Sequence, residues 1–304
     1  MRSSASKPGI ETRDTRALAR ALTTVFRANE LVLVLIVVGL LVIGFVLNPR
    51  FLAIDNVQIM SRDSAILAIA AIGVAFPILT GGIDLSIGSI AGLGGVLVAL
   101  FIQRWGLPIW LSLLMSLGVA LTIGLIHGLF VTKLRMHGFL ITLVTLGVAR
   151  GFCLVVTNAF PITGLPEEFN AIGQGRAFDL IPIPVLICSG LALVTYYLLR
   201  YSYVGRQIYA VGGNSEAARL SGIAVDRRVI LCYSISAVCA ALVGIIQTAR
   251  LTMGHPSTGV GYELLAITSC ILGGLSLMGG QGSLLGVIVG ALLIGILQNE
   301  MIIL

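Results

Sequence analysis

The chain has 304 residues, 57% of them hydrophobic and 11% charged, with a mean hydropathy of +1.05. A soluble domain carries about 25% charged residues, so this composition excludes a water-soluble globular protein and points to one integral membrane domain. The formal charge of +6 comes from basic residues in short segments between apolar blocks, not from the single aromatic-interleaved patch that nucleic-acid binding uses.

In chain order, residues 1–30 form a polar tail with Arg2, Lys7, Arg13, Arg16, Arg20 and Arg27. The next block, Leu31 to Leu47, has no charged or strongly polar side chain. It is long enough to cross about 30 Å of hydrocarbon, and it lacks the small-residue cleavage site of a signal peptide, so it is expected to remain as the first span. Eight further apolar runs follow, near residues 64–80, 84–103, 107–131, 138–157, 180–199, 229–249, 264–280 and 283–304. The third and eighth runs are short and abut glycine clusters, the mark of broken or re-entrant helices. The expected fold is an all-α membrane protein, a polytopic bundle of about nine to ten transmembrane helices with Gly-rich broken or re-entrant segments. Residues 1–30 would be a cytoplasmic tail and 31–304 the transmembrane domain.

Lys and Arg bias sets the orientation. The basic tail, Lys133 with Arg135, and the segment from Arg200 to Arg228 all fall on one side by span parity. That side is the cytoplasm, and the N-terminus lies there. Parity also leaves the last span ending outside at EMIIL without a polar tail, so a truncated chain or a missing return helix is expected. GGIDLSIGS at Gly81 to Ser89 resembles GGLSLMGGQG at Gly273 to Gly282; a duplication of parallel type would explain it, and so would the packing of small residues.

Polar residues inside apolar runs carry the functional information. The five cysteines have no C-x-x-C pair and no histidine at ligand spacing, so they read as small buried hydrophobes. His127, His137 and His255 share no metal-ligand spacing. Asp84 in GGIDLSIGS is costly in hydrocarbon unless it faces protein or water. It either caps a helix starting at Leu85 or lines a solute path, and the two roles are compatible. Arg150 would snorkel to the outer interface or face a pore. Glu263 opens the eighth run, where an acid suits the helix dipole.

The cytoplasmic stretch YAVGGNSEAARLSGI differs in kind. Asn214 fits an N-cap, Glu216 the first turn, Ala217 and Leu220 one apolar face, and Gly222 a left-handed close. Such a short amphipathic helix is unstable alone and needs a docking partner.

Four segments together resemble the permeases of carbohydrate-uptake ABC transporters, the group that handles ribose, arabinose, xylose, galactose and autoinducer-2: LTGGIDLSIGSI, GFLITLVTLGVARG, GRQIYAVGGNSEAARLSGI and GVGYELLAITSCILGGLSLMGGQGSLLG. The resemblance implies that Gly213, Asn214, Glu216, Ala217, Ala218, Arg219, Leu220 and Gly222 form a coupling helix seated on an ATP-binding subunit. It also implies that Gly81, Gly82, Asp84, Ser86, Gly88, Gly261, Tyr262 and Glu263 frame the translocation unit. Leu265 departs from the pattern, standing where these permeases often carry Asp, and the chain ends short of their usual length.

No G-x-x-x-x-G-K-[ST] loop is present, and the only lysines are Lys7 and Lys133. The resemblance therefore implies a transport subunit, not an enzyme, with no cofactor of its own. ATP and Mg would sit on a cytoplasmic ATP-binding partner, a periplasmic or lipid-anchored solute-binding protein would supply specificity, and a second permease copy, identical or sister, would complete a dimer in the bacterial inner membrane. An ion-coupled secondary transporter would need more intramembrane acids than Asp84, Glu263 and Glu300. A channel would not need the surface helix, and an intramembrane hydrolase would need a nucleophile beside a base, which no G-x-S-x-G elbow supplies.

Overall fold

A computed structural model describes residues 32–303, with no side-chain detail at Ile303. The basic tail, Leu31 and Leu304 lie outside the described residues. Helix α1 (Val32–Leu47) leads through a 3-10 turn (Pro49–Leu52) into α2 (Ile54–Leu79). Then come α3 (Ile87–Gln103), α4 (Ile109–Lys133) and α5 (Gly138–Thr157). A loop with β1 (Ile162–Thr163), α6 (Glu167–Gln174), β2 (Arg176–Ala177) and β3 (Ile181–Pro182) precedes α7 (Ile183–Tyr201). Short α8 (Tyr203–Gly213) and α9 (Ser215–Leu220) connect to α10 (Val225–Leu251) and β4 (Met253–Gly254). The chain finishes with α11 (Tyr262–Leu272) and α12 (Leu284–Ile303).

Six of these helices, α2, α4, α5, α7, α10 and α12, are long and apolar enough to cross a membrane, and α1, α3 and α11 are shorter apolar helices. The apolar window of α2 is 89% buried and that of α10 72%, against 22% for α4, 17% for α5 and 22% for α7. So α2 and α10 form the centre, and α4, α5 and α7 turn apolar side chains such as Val148 and Leu193 outward, as lipid-facing helices do. Trp105 and Trp110 stand exposed at one end. Tyr197 and Tyr201 pack at 5.6 Å at the other. Aromatic side chains at both ends suit the two membrane interfaces.

Several boundaries differ from expectation, each for a physical reason. Helix α2 starts ten residues before the run at 64–80, because Asn56 and Asp63 interrupt the hydropathy pattern yet pair with Asn299 and Arg250 on other helices. The third run becomes helical only at Ile87 and not at residue 84, and the eighth is helical over Tyr262–Leu272 rather than 264–280. In both places the chain runs non-helically inside the bundle beforehand, over residues 81–86 and 252–261. The second stretch follows α3 from Ala99 to Gly88, a descent of about 16 Å at 1.5 Å per residue. The two similar glycine segments of the sequence lie side by side: Gly280 N donates to Leu79 O at 2.9 Å.

Apolar burial gains little between helices already in hydrocarbon, so close backbone approach through small residues holds such bundles. At Gly244 of α10 a methyl group would collide with the Ala91 carbonyl of α3. Gly244→Val is expected to destabilise the chain by about 1–3 kcal/mol through overpacking, read as a lower Tm in detergent. Gly118→Val, at a site with nothing within 4 Å, should leave Tm unchanged.

Candidate functional site

The first non-helical stretch begins where Thr80 closes α2, with Gly81 at φ +81. Its backbone is borrowed by neighbours: Leu85 N donates to Thr142 Oγ1 of α5 at 3.1 Å. Asp84 is fully buried. Its Oδ1 accepts from Ser86 N at 2.9 Å and Ser86 Oγ at 2.6 Å, and its Oδ2 accepts from Ser236 Oγ of α10 at 2.7 Å. Asp84 therefore does not cap a helix from Leu85. Helix α3 starts two residues later, Ser86 occupies the cap position without a side-chain cap bond, and Asp84 faces the positive end of α3 from below it. A buried carboxylate needs several donors, and the three here are short, fixed groups.

Beside this carboxylate, Tyr233 of α10 pushes its hydroxyl between Gly82 and Gly138, where a methyl at either glycine would collide with it. His127 of α4 meets the Tyr233 ring edge-on at 6.2 Å and pairs through Nε2 with Thr145 Oγ1 at 2.8 Å. Among the described residues Tyr233 Oη and His127 Nδ1 are buried without a protein partner.

Where the two non-helical stretches converge, Arg150 of α5 does not snorkel outward. Its Nη1 donates to the carbonyls of Pro256 and Thr258, and its Nη2 to Gly88 O at 3.2 Å. One guanidinium thus ties α5, the 252–261 stretch and the first turn of α3. Glu263 Oε1 accepts from Gly261 N at 3.2 Å, and the same carboxylate stands against Gly88. The N-termini of α3 and α11 accordingly meet between two acids and one base. Tyr262 turns away, its Oη accepting from Gln247 Nε2 at 2.5 Å. Of the expected framework residues, Glu263 stands against Gly88 and bonds Gly261, and Asp84 is bonded to Ser86, whereas Gly81 lies against Met278 and Gly279, Gly82 against Tyr233, and Tyr262 turns to Gln247 of α10.

At the other end, Asn214 Oδ1 accepts from Glu216 N at 3.1 Å and Ala217 N at 2.9 Å, capping α9, and Gly222 at φ +82 closes it. Ala218 is buried among Val211, Val225, Val229 and Tyr233, whereas Leu220 is 86% exposed. Arg219 reaches Asp226 Oδ1 at 2.9 Å, and Lys133 at the end of α4 reaches Oδ2 at 2.7 Å. Burial raises the pKa of Tyr209 in α8 above its usual value, so the hydroxyl stays protonated and donates to Gly282 O at 3.1 Å. Tyr233 joins the two regions, since one end of it belongs to the α9 cluster and the other to the Asp84 stretch. Sequence reasoning did not single out Tyr233, Ser236, Thr142 or Asp226; each is one polar residue in an apolar or mixed helix, and no local pattern marks it.

Residues 56–304 match the family described as branched-chain amino acid transport system / permease component. The chain is 40% identical over 266 residues to the ribose import permease protein of Haemophilus influenzae, covering 86% of this chain and 82% of that one. It is 41% identical over 261 residues to the ribose import permease protein of Bacillus subtilis (86% and 81%). It is 35% identical over 254 residues to the D-allose transport system permease protein of Escherichia coli (83% and 78%). No solved structure matches.

Ser236→Ala removes one of three donors to the Asp84 carboxylate and is expected to cost about 1–3 kcal/mol, visible as a lower Tm of the purified chain. Ser189→Ala, whose exposed hydroxyl bonds only Val185 O on its own helix, should leave Tm within about a degree, since surface substitutions change stability by less than about 0.5 kcal/mol.

Proposed function

We propose how this chain, which belongs to the branched-chain amino acid transport system / permease component family, works as the membrane-spanning subunit of an ATP-driven ABC importer. It is a multi-pass membrane transport subunit rather than an enzyme. Its solute is a monosaccharide or sugar-like molecule carried into the cytoplasm. The observation that carries this is 40% identity to ribose import permeases across 86% of the chain. That extent outweighs the amino-acid wording of the broader family, because the relatives named for ribose and allose align along nearly the whole bundle.

In this reading α1, α3 and α11 join the six long helices to give nine crossings, with the stretches before α3 and α11 as re-entrant segments. Residues 1–30 form a cytoplasmic tail, and residues 200–228 are the cytoplasmic loop that carries the coupling helix. The chain holds no cofactor. ATP and Mg act on a separate cytoplasmic subunit, a solute-binding protein delivers the sugar, and a second permease copy completes the passage.

The coupling helix is α9, with its flanks Gly213, Asn214 and Gly222. Glu216, Ala217, Arg219 and Leu220 are exposed toward the ATP-binding subunit and Ala218 is anchored within. Support comes from rigidity. Asn214 fixes the start of α9, and Asp226 ties it at once to α4 and α10. A push on a six-residue helix so held is passed to α10 and, through Tyr233, to the Gly81–Ser86 stretch beside Asp84. The framework residues Gly81, Gly82, Asp84, Ser86, Gly88, Gly261, Tyr262 and Glu263 then shift as a unit between outward and inward access. No observation favours a secondary transporter.

Leu220→Asp tests the coupling. Substituting a side chain that is 86% exposed should change stability by less than about 0.5 kcal/mol. In proteoliposomes with the ATP-binding subunit and the binding protein, D-ribose uptake should fall about tenfold, a loss of about 1.4 kcal/mol of coupling, with Tm unchanged. Full uptake with this substitution would remove α9 from the mechanism.

A further inference from the structure

A cavity of about 770 Å³ opens beside the outer part of α2, lined by Asn56, Asp63, Arg250, Tyr262, Gln298 and Asn299 among others. Its volume falls in the range of about 300–1,000 Å³ common for small-molecule sites. The cavity runs from the helix ends at Asn56 and Ile302 inward past Asp63, which is nine residues into α2, about 14 Å from its start at 1.5 Å per residue.

At its wall the Arg250 guanidinium of α10 faces both oxygens of Asp63, with Nη2 to Oδ2 at 3.2 Å. The pair is not sealed: the Asp63 side chain keeps 35% and the Arg250 side chain 25% of its exposure. Charges left open on a wall of apolar helices cannot face hydrocarbon without a cost of several kcal/mol each. They face water or a polar solute. One acid and one base leave the wall without net preference for an ion. Together with three carboxamides and a phenol, set among apolar side chains such as Leu67 and Ile302, they offer both donors and acceptors, which suits a neutral, polyhydroxylated molecule.

The surroundings are set before any solute arrives. Asn56 Nδ2 donates to Asn299 Oδ1 at 2.8 Å, and Asn299 Nδ2 returns the bond to Asn56 Oδ1 at 3.0 Å. Tyr262 is pinned through Gln247, so its ring presents a fixed apolar face. Close packing of α12 on α2 at Gly295 against Ser64 fixes the floor. Next to Tyr262 in the chain, Glu263 touches the junction of α3 and α11, which places the cavity next to the framework that moves.

The geometry points to this cavity as the sugar subsite of the passage, in which Asp63 and Arg250 exchange part of their mutual pairing for hydrogen bonds with vicinal hydroxyls of the solute. The assignment rests on the reading of the chain as a sugar importer, and it takes the specificity contacts away from buried Asp84.

Two experiments on the full chain test it. In proteoliposomes with the ATP-binding subunit and the binding protein, Asp63→Asn should lower D-ribose uptake about tenfold and compress the uptake ratio of D-ribose to 2-deoxy-D-ribose about fivefold, because a site built to bond a hydroxyl discriminates against its absence. ATP hydrolysis stimulated by the loaded binding protein should stay within about twofold, since the nucleotide subunit is untouched. If uptake and hydrolysis fall together with the sugar ratio unchanged, and the reversal Asp63→Arg with Arg250→Asp restores both, the pair is structural and the assignment is overturned. In intact vesicles, Gln298→Cys should react with a water-soluble maleimide from outside, the five native cysteines being buried, and excess D-ribose should slow that reaction. A cysteine that does not react, or one that D-ribose does not protect, also overturns it. A wild-type complex that takes up no D-ribose would instead refute the sugar-importer reading, and the labelling result would still decide the cavity.

Discussion

Backbone that leaves the helix inside a membrane bundle must find hydrogen-bond partners in the protein, and the rest of this structure depends on how it does so. Two stretches, residues 81–86 and 252–261, are non-helical among packed helices. Neither could persist in contact with lipid, because each unpaired amide or carbonyl would cost several kcal/mol there. Thr142 takes up Leu85 N, and Arg150 takes up the Pro256, Thr258 and Gly88 carbonyls. These side chains act as a replacement for the solvent that is missing. Where the stretches end, two helices begin facing one another, and Asp84 and Glu263 answer the positive ends that result.

This arrangement explains how a chain so apolar can serve polar traffic. Lipid-facing α4, α5 and α7 isolate a centre of α2 and α10. Among the described residues, Asp84, Arg150 and Glu263 are paired within the bundle, whereas Tyr233 Oη and His127 Nδ1 are buried without a protein partner. The permease therefore needs few solute contacts. At one end of the bundle a short helix, α9, is held against α10 by its Asn214 cap and the Arg219–Asp226 ion pair.

Legibility in the sequence followed locality. Helix α5 coincides with the apolar run at 138–157 because both of its ends are local: His137 is extended, and Asn158 closes it in a left-handed conformation. The ends of α9 were equally plain, since an Asn cap and a closing glycine act within three residues of the helix. The starts of α3 and α11 were misplaced because hydropathy cannot distinguish apolar helix from apolar non-helical chain; what separates them is Arg150, more than 100 residues from its partners in the 252–261 stretch. The first ten residues of α2 were hidden for the opposite reason, since Asn56 and Asp63 among them are satisfied by helices distant in the chain. Tyr233 and Ser236 carried no signal because a lone hydroxyl in a membrane helix is common.

The central claim is that one guanidinium ties the 252–261 stretch to the first turn of α3, where the 81–86 stretch ends. Hydrogen–deuterium exchange of the full chain in lipid nanodiscs, compared between the native protein and Arg150→Met, tests it directly. Losing three carbonyl partners should cost about 1–3 kcal/mol for each buried group left unpaired. The account predicts faster exchange in residues 81–88 and 252–261 together, with α2 and α10 still protected. Unchanged exchange in both stretches, or release of only one of them, would contradict it.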